Sequence, residues 1–329
     1  RSRGWRGENR GGRGGGGRFD GGRGGRVGQE RPETKEELWQ RQRERQAVQA
    51  ERVSWLQEQN ERFPDSAYIF GVSPVLAALR MKRRVMYTLF IQETMELDKR
   101  KDRGAVEEIE ALAKEIGCEI EYRDKGRLNV MSGDRPHQGL VLQCSRLDFV
   151  NIKEMPAVTV KEGEKPPVWL VLDEVMDPQN LGALLRSAYF LGCGGVVVCS
   201  KNSAGLSAAV SKASAGAMEE LPVHSATQLM KFLQASKDNG WKVIGAALAE
   251  DSVLASQVTL DGPTLLVMGN EGTGLRTLVL RLCDTIVQIE GGDAQRVKQN
   301  EQQGVGVEGG EVLDSLNVSV AGGILLHRL

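Results

Sequence analysis

The sequence predicts an α/β protein: a C-terminal parallel-sheet domain preceded by a smaller α/β module and a polar N-terminal tail. Two observations carry the first part. Five short runs, Val168–Leu172, Val196–Cys199, Val243–Ala246, Leu265–Met268 and Thr285–Ile289, are apolar with little alternation, as strands buried on both faces must be. Helix-compatible stretches at Leu181–Leu191, Ser207–Ala217 and Thr227–Asn239 lie between them, the alternation that builds a parallel sheet covered by helices. The smaller module rests on a third, the mixture of strand and helix signals between residues 67 and 148.

Taken in order, residues 1–31 are glycine and arginine with almost nothing apolar beyond Trp5, Phe19 and Val27. They cannot bury enough surface to offset the entropy of ordering and are expected to be disordered. Nine arginines against three acids give this tail a net charge of +6, which leaves −7 for the rest of a chain whose total is −1. Arg-Gly-Gly repeats suit loose RNA contact through phosphate attraction and guanidinium stacking. Residues 32–66 turn to Glu, Arg and Gln with irregular apolar spacing, a charged and partly helical linker. The chain starts with Arg rather than Met, so an upstream targeting peptide is expected.

Residues 67–148 read as strand Tyr68–Phe70, a helix from Ser73 to Leu79, strand Met86–Ile91, helix Ala105–Ile116, strand Glu119–Tyr122, a short helix at Gly126–Met131, and strand Leu140–Cys144 after His137-Gln138-Gly139. Basic clusters at Lys82–Arg84, Lys99–Lys101 and Arg123–Arg127 suggest phosphate contact. Residues 149–167, with Pro156, Pro166 and Pro167, read as a linker to the domain at 168–329. A polar, glycine-rich stretch at 290–310 reads as an insertion, and a helix from about Leu316 to Leu329 closes the chain.

Composition removes several functions. The five cysteines have no CxxC spacing and there are three histidines, which argues against structural zinc and a disulfide framework, and no metal is expected. No apolar run reaches transmembrane length. No GxGxxG follows the first strand of the large domain and no GxxxxGK[ST] occurs, which disfavours dinucleotide and P-loop sites. No Ser-His-Asp set is in view.

The informative stretch is LLVMGNEGTGLR, Leu265–Arg276: a buried strand ending in three glycines within six residues. Such an elbow leaves backbone groups accessible at the sheet edge where α/β proteins bind small ligands. Asp177-Pro178-Gln179-Asn180 supplies cap and first-turn residues for a helix, and Arg186 stands two turns in among Leu and Ala, needing a partner or an anion if its face is buried.

NLGALLRSA, GNEGTGL and SLNVSVAGG, in that order, resemble the three motifs of the SpoU/TrmH branch of SPOUT RNA methyltransferases, and the module ending in HQGLVLQ resembles that family's substrate-binding domain. The tail, linker and late insertion are similar to fungal mitochondrial large-subunit rRNA 2′-O-methyltransferases. The resemblance covers about residues 68 to 329. It implies a deep trefoil knot at the C-terminus, an exception to unknotted topology, behind a small α/β L30e-like substrate-binding domain. It implies S-adenosylmethionine as cofactor, held by Leu248, Gly269, Ile289 and Leu316 largely through backbone groups. It also implies a homodimer, and a site built from Asn180, Arg186, Glu271, Ser315 and Asn317.

The implied reaction is methyl transfer to a ribose 2′-oxygen, with rRNA as substrate, a guanosine in mitochondrial large-subunit rRNA being favoured. Because a guanidinium has a pKa above about 12, Arg186 is read as holding phosphate and stabilising the developing alkoxide rather than as a base. Glu271 and Asn180 are expected to orient it, and Ser315 and Asn317 to position the ribose or its loop. The insertion after Ile289 departs from the family's compact turn and puts that wall of the pocket in question. A tRNA methyltransferase and a non-catalytic ribosome-assembly factor stand as alternatives, with nucleus or cytoplasm as the alternative to a mitochondrial location.

Overall fold

The structure, a computed structural model, describes residues 34–249, 251–291 and 316–329. The readings made for 1–31, for Ser315 and for nearly all of 290–310 lie outside these residues. The proposed linker contains one continuous 28-residue helix, α1 (Lys35–Arg62), with no buried residue. Its apolar spacing was too irregular to predict this length. Near its end Trp55 meets Phe90 edge-on at 5.7 Å.

The described residues from Ala50 to Leu329 form one compact unit with two lobes. In the smaller lobe β1 (Ser66–Phe70), α2 (Val72–Met81), β2 (Met86–Gln92), α3 (Arg103–Ile116), β3 (Glu119–Arg123), α4 (Lys125–Ser132) and β4 (Leu140–Ser145) follow the predicted order. The sheet runs β1-β4-β2-β3, with β2 and β3 parallel and the other pairs antiparallel. Strand alternation sorts the core. Ile69, Leu89, Ile91, Leu140 and Leu142 face α2 and α3, while Phe70, Phe90 and Val141 face Leu128 and Met131 of α4.

The larger lobe contains β5 (Val150–Asn151), β6 (Val168–Leu172), α5 (Pro178–Phe190), β7 (Val196–Cys199), α6 (Ala208–Ala213), α7 (Ala217–Glu220), β8 (Val223–Ala226), α8 (Leu229–Asp238), β9 (Lys242–Ala246), β10 (Val253–Leu254), β11 (Thr264–Met268), α9 (Thr277–Leu280), β12 (Thr285–Gln288) and α10 (Val318–Arg328). The sheet order is β10-β12-β9-β11-β6-β7-β8-β5, and every described pair is parallel. Both faces are covered. Leu170, Leu172, Val196, Val198, Leu266 and Met268 pack toward α5 and α10, whereas Val171, Val197, Leu265 and Val267 pack toward α8 and α9.

Two differences from the sequence reading have physical causes. Residues 149–167, read as a linker, contribute the edge strand β5 beside β8, and Met155 is buried under Trp241, whose indole N–H donates to the Pro156 carbonyl at 2.8 Å. The helix read as Ser207–Ala217 breaks into α6 and α7 at Ala215 and Gly216, both with positive φ. A Cβ on Gly216 would lie 2.7 Å from the Ala77 methyl and 2.9 Å from the Ser73 carbonyl oxygen. The break brings the two lobes to that contact distance.

The lobes are also joined by charge. Arg84, 1% exposed at its side chain, forks onto the fully buried Glu219 of α7 through Nε and Nη2, at 2.7 to 3.1 Å, while its Nη1 donates to the Ser145 carbonyl at 2.9 Å. Arg83 donates to the Glu219 carbonyl at 2.8 Å, and Lys82 pairs with Glu115. Arg84 of the Lys82–Arg84 cluster, expected to meet phosphate, is therefore spent on an internal contact, whereas Lys82 and Arg83 stay exposed. A tertiary partner from 135 residues away took a charge that looked solvent-facing in the sequence.

Candidate active site at the sheet switch point

From β6 the chain winds through β7 to β8 on one side, then crosses to lay β9 and β12 on the other, and β11 fills the gap beside β6. Strand order reverses between β6 and β11, the place where open parallel sheets bind ligands beyond their carboxyl ends. The loops leaving these two strands carry the first two sequence motifs.

The loop after β11 is preformed. Asn270 and Gly274 exchange backbone hydrogen bonds at 3.0 Å in both directions. The Asn270 side-chain oxygen accepts from the N–H groups of Gly272 and Thr273, at 2.9 and 3.2 Å, and its amide donates to the Glu174 carbonyl at 2.9 Å. Gly274 takes φ +69°, the freedom expected of the elbow. Gly269 is needed for a different reason, because a Cβ there would sit 2.2 Å from the Gly274 carbonyl carbon. Gly269→Ala should therefore open the loop and weaken binding of the S-adenosylmethionine that the resemblance implies by tenfold or more in calorimetry. Gly272→Ala, whose Cβ would meet nothing nearer than 3.6 Å, should bind as the parent does. Equal effects would remove the close approach as the cause.

The base of the loop is clamped by residues that sequence reasoning missed. Asp173, 1% exposed at the end of β6, accepts from Arg276 Nε at 3.1 Å and Nη2 at 2.5 Å, and Arg276 also reaches Glu174 at 3.3 Å. The hydrogen bond to Asp173, with its charge, raises the Arg276 pKa above its ordinary value. The available signal was an acid placed directly after a wholly apolar strand, where an unpaired carboxylate would be costly.

The three motifs converge. Asn180 Nδ2 donates to Glu271 Oε1 at 3.1 Å, and Asn317 Nδ2 donates to Asn180 Oδ1 at 3.0 Å. Asn317 caps α10 by accepting from the Ser319 N–H at 2.9 Å and hydroxyl at 2.6 Å. Asp177, not Asn180, caps α5, accepting from the Gln179 N–H at 2.9 Å. Asn180 is thus free of the capping role and lies 8% exposed at the centre of a relay from Glu271 to Asn317.

Arg186 does not join this relay within one chain, so Asn180 and Glu271 do not orient it there. Six residues along a helix turn its face by about 120° and carry it about 9 Å along the axis. It is exposed, without a hydrogen bond or ion pair among the described residues, and borders a hollow of about 590 Å³ shared with Tyr189, Phe190, Gly323 and His327. Phe190 is 85% exposed there.

The four residues proposed for cofactor contact stand at one edge. Leu248, Gly269 and Ile289 follow the neighbouring strands β9, β11 and β12, and Leu316 immediately precedes Asn317. Leu248 and Leu316 are 67% and 49% exposed. An apolar-walled edge beside a glycine loop fits a nucleoside sulfonium, which carries no phosphate and needs no phosphate cradle. Among the described residues no group of three or more His, Cys, Asp or Glu could hold a metal ion, and no helix is long and apolar enough to cross a membrane. The passage that would complete a knot runs through 292–315, outside the described residues.

Residues 167–297 match the model of the SpoU rRNA methylase family, and residues 68–150 match that for RNA 2′-O ribose methyltransferase substrate binding. Mitochondrial rRNA methyltransferase 1 of Schizosaccharomyces pombe is 33% identical over 297 residues, covering 80% of this chain and 90% of that protein. The Dictyostelium discoideum protein of the same name is 34% identical over 257 residues, and the chain spans 45% of its length. A 23S rRNA (guanosine-2′-O-)-methyltransferase, RlmB, of Coxiella burnetii is 30% identical over 262 residues, covering 79% of this chain and 94% of that one. In fold, the AdoMet-bound rRNA methyltransferase from Sinorhizobium meliloti is similar at a TM-score of 0.61 and 21% identity, over 85% of this chain and 93% of that chain. With two family models matched in sequence order and 90% or more of two of these relatives covered at 30% identity or above, the chain belongs to the SpoU rRNA methylase family.

Proposed function

We propose that this protein is an S-adenosylmethionine-dependent RNA 2′-O-ribose methyltransferase whose substrate is a guanosine of mitochondrial large-subunit rRNA. The observation that carries the reading is the Glu271–Asn180–Asn317 relay, which ties three motifs to the switch point of the sheet. The names of the matched relatives support rRNA, guanosine and the mitochondrion.

Bound at this edge, S-adenosylmethionine supplies an electrophilic methyl group on a sulfonium. Leu248, Gly269, Ile289 and Leu316 would hold it, and the closed 269–276 loop keeps the backbone beside Gly269 in place without reorganisation. The relay positions the ribose hydroxyl for in-line approach, and Ser315 precedes the same segment in sequence. Arg186 supplies positive charge to the developing 2′-alkoxide, whose proton passes to water, and it does so in the site of a second copy. The exposed Phe190, Val320 and Ile324 beside it on α5 and α10 form the face by which two copies pair, and the C-terminal segment passes beneath the 269–276 loop as the family's knot implies.

The test is transfer of tritiated methyl groups to mitochondrial rRNA transcripts, followed by mixing of inactive variants. Asn180→Ala and Arg186→Ala chains should each be inactive alone. Mixed after partial unfolding, they should regain about a quarter of parental activity, because heterodimers then hold one intact site. No recovery would remove the shared site. No transfer by the parent to any rRNA or tRNA would leave the assembly-factor reading.

A further inference from the structure

We infer that the groove at the end of the smaller lobe, between the 134–139 loop, α4 and the segment after β2, binds a single unstacked nucleotide of the RNA substrate. The inference rests on the RNA-methylation reading and places one substrate contact within it. The groove encloses about 620 Å³, within the range of about 300–1,000 Å³ typical of small-ligand sites. Met95 and Pro136 offer apolar surface for a base, and Lys125 and Arg135 offer charge for its phosphate. Both cations are exposed and make no ion pair among the described residues. Neighbouring charges are already committed: Arg100 to Asp102, Arg127 to Glu51 and Asp124, and Glu96 to Lys99. Asp134 is the acid in the wall that has no ion-pair partner among the described residues, and it sets a lower limit on how closely a phosphate approaches that side.

The wall is built before any ligand arrives. His137 is buried, accepting at Nδ1 from the Gly139 N–H at 2.9 Å and donating from Nε2 to Asn129 Oδ1 at 3.0 Å. Burial lowers its pKa, which keeps this neutral tautomer in place. With its carbonyl so engaged, the Asn129 amide N–H groups make no hydrogen bond among the described residues and remain to donate to a base edge. Gln138 holds a left-handed backbone, φ +56°, with its carbonyl taken by Arg100 at 2.9 Å and its side-chain oxygen by Lys212 at 2.8 Å.

Lys212 belongs to α6 of the larger lobe, and α6 packs so closely on α5 that a Cβ on Gly182 would lie 2.4 Å from the Ala213 methyl. Gly182 is two residues from Asn180. The groove and the relay thus join through one line of packed contacts, which relates a nucleotide seated in the groove to the reacting ribose. A duplex base pair cannot enter such a pocket, whereas loop nucleotides present both base and phosphate.

The experiment compares the parent with Lys125→Ala/Arg135→Ala and with Lys114→Ala/Lys153→Ala, which removes the same charge from exposed positions outside the groove. The probes are an unstructured oligoribonucleotide and a fully paired RNA duplex of equal length, titrated at several salt concentrations. The groove variant should bind the single strand about tenfold more weakly, with a salt slope reduced by about 1.4. It should leave duplex and S-adenosylmethionine affinities at parental values, and raise the KM for rRNA while kcat stays within about twofold. Loss of duplex binding to the same degree, an equal loss in the control variant, or unchanged single-strand affinity would each overturn the assignment. If the parent methylates no RNA, the proposed activity fails on its own, and the affinity comparison still decides the groove.

Discussion

Arg186→Ala is expected to lower methyl transfer by about 10²–10³-fold, the cost of removing one preorganised charge that acts on a developing oxyanion. The affinity for S-adenosylmethionine, measured separately, should stay within about twofold of the parent, because Arg186 touches neither the cofactor edge nor the relay in its own chain. Its exposure is the reason: a side chain free of intramolecular partners can be removed without leaving a buried group unpaired. Arg186→Lys should recover little, since an ammonium lacks the planar fork that can meet a phosphate and a ribose oxygen together. Parental transfer rates in Arg186→Ala would take this residue out of the mechanism and leave the relay to carry the chemistry without it.

Glu219→Ala should reduce the free energy of unfolding by about 3–5 kcal/mol, as breaking one side of a buried ion pair does. The physical situation of Arg84 sets the scale. Burial by itself would lower its pKa, and the hydrogen bonds and charge of Glu219 reverse this and raise it. Without the carboxylate, a guanidinium with 1% side-chain exposure loses its ion-pair partner and keeps the Ser145 carbonyl. The paired replacement Arg84→Met/Glu219→Leu should recover most of the loss in denaturant titration, because both charges leave together. A single variant as stable as the parent would mean that water reaches the lobe boundary in solution. Since the pair joins the groove-bearing lobe to α7, Glu219→Ala should also raise the KM for rRNA more than it lowers kcat.

Much of the larger lobe was legible because its physics is local. Val168–Leu172 and Leu265–Met268 read as short buried strands, and the glycines after Met268 mark a turn that side chains would block. Asn180, Glu271 and Asn317 were found by motif, and their joining required three segments separated by up to 137 residues to meet. Asp173 and Arg276 were passed over, since each looks like an ordinary boundary charge until β6 and β11 are laid side by side. Arg84 was misread for the same reason: a basic run declares charge but not the partner that neutralises it. The helix at 207–217 was read as continuous, since nothing in Ala-Ser-Ala-Gly announces that Ala77 of another lobe needs the space.

By itself, then, the sequence determined which stretches are strands and helices, that the large sheet is parallel, and which residue types surround the ligand edge. These follow from periodicity, turn chemistry and burial of contiguous residues. Only the tertiary structure decided which charges are spent on one another, that Asn180 bridges two loops rather than capping its helix, and that Arg186 faces outward. Those outcomes depend on contacts between segments far apart in the chain, where the free energy of a side chain is set by the partner that folding delivers to it.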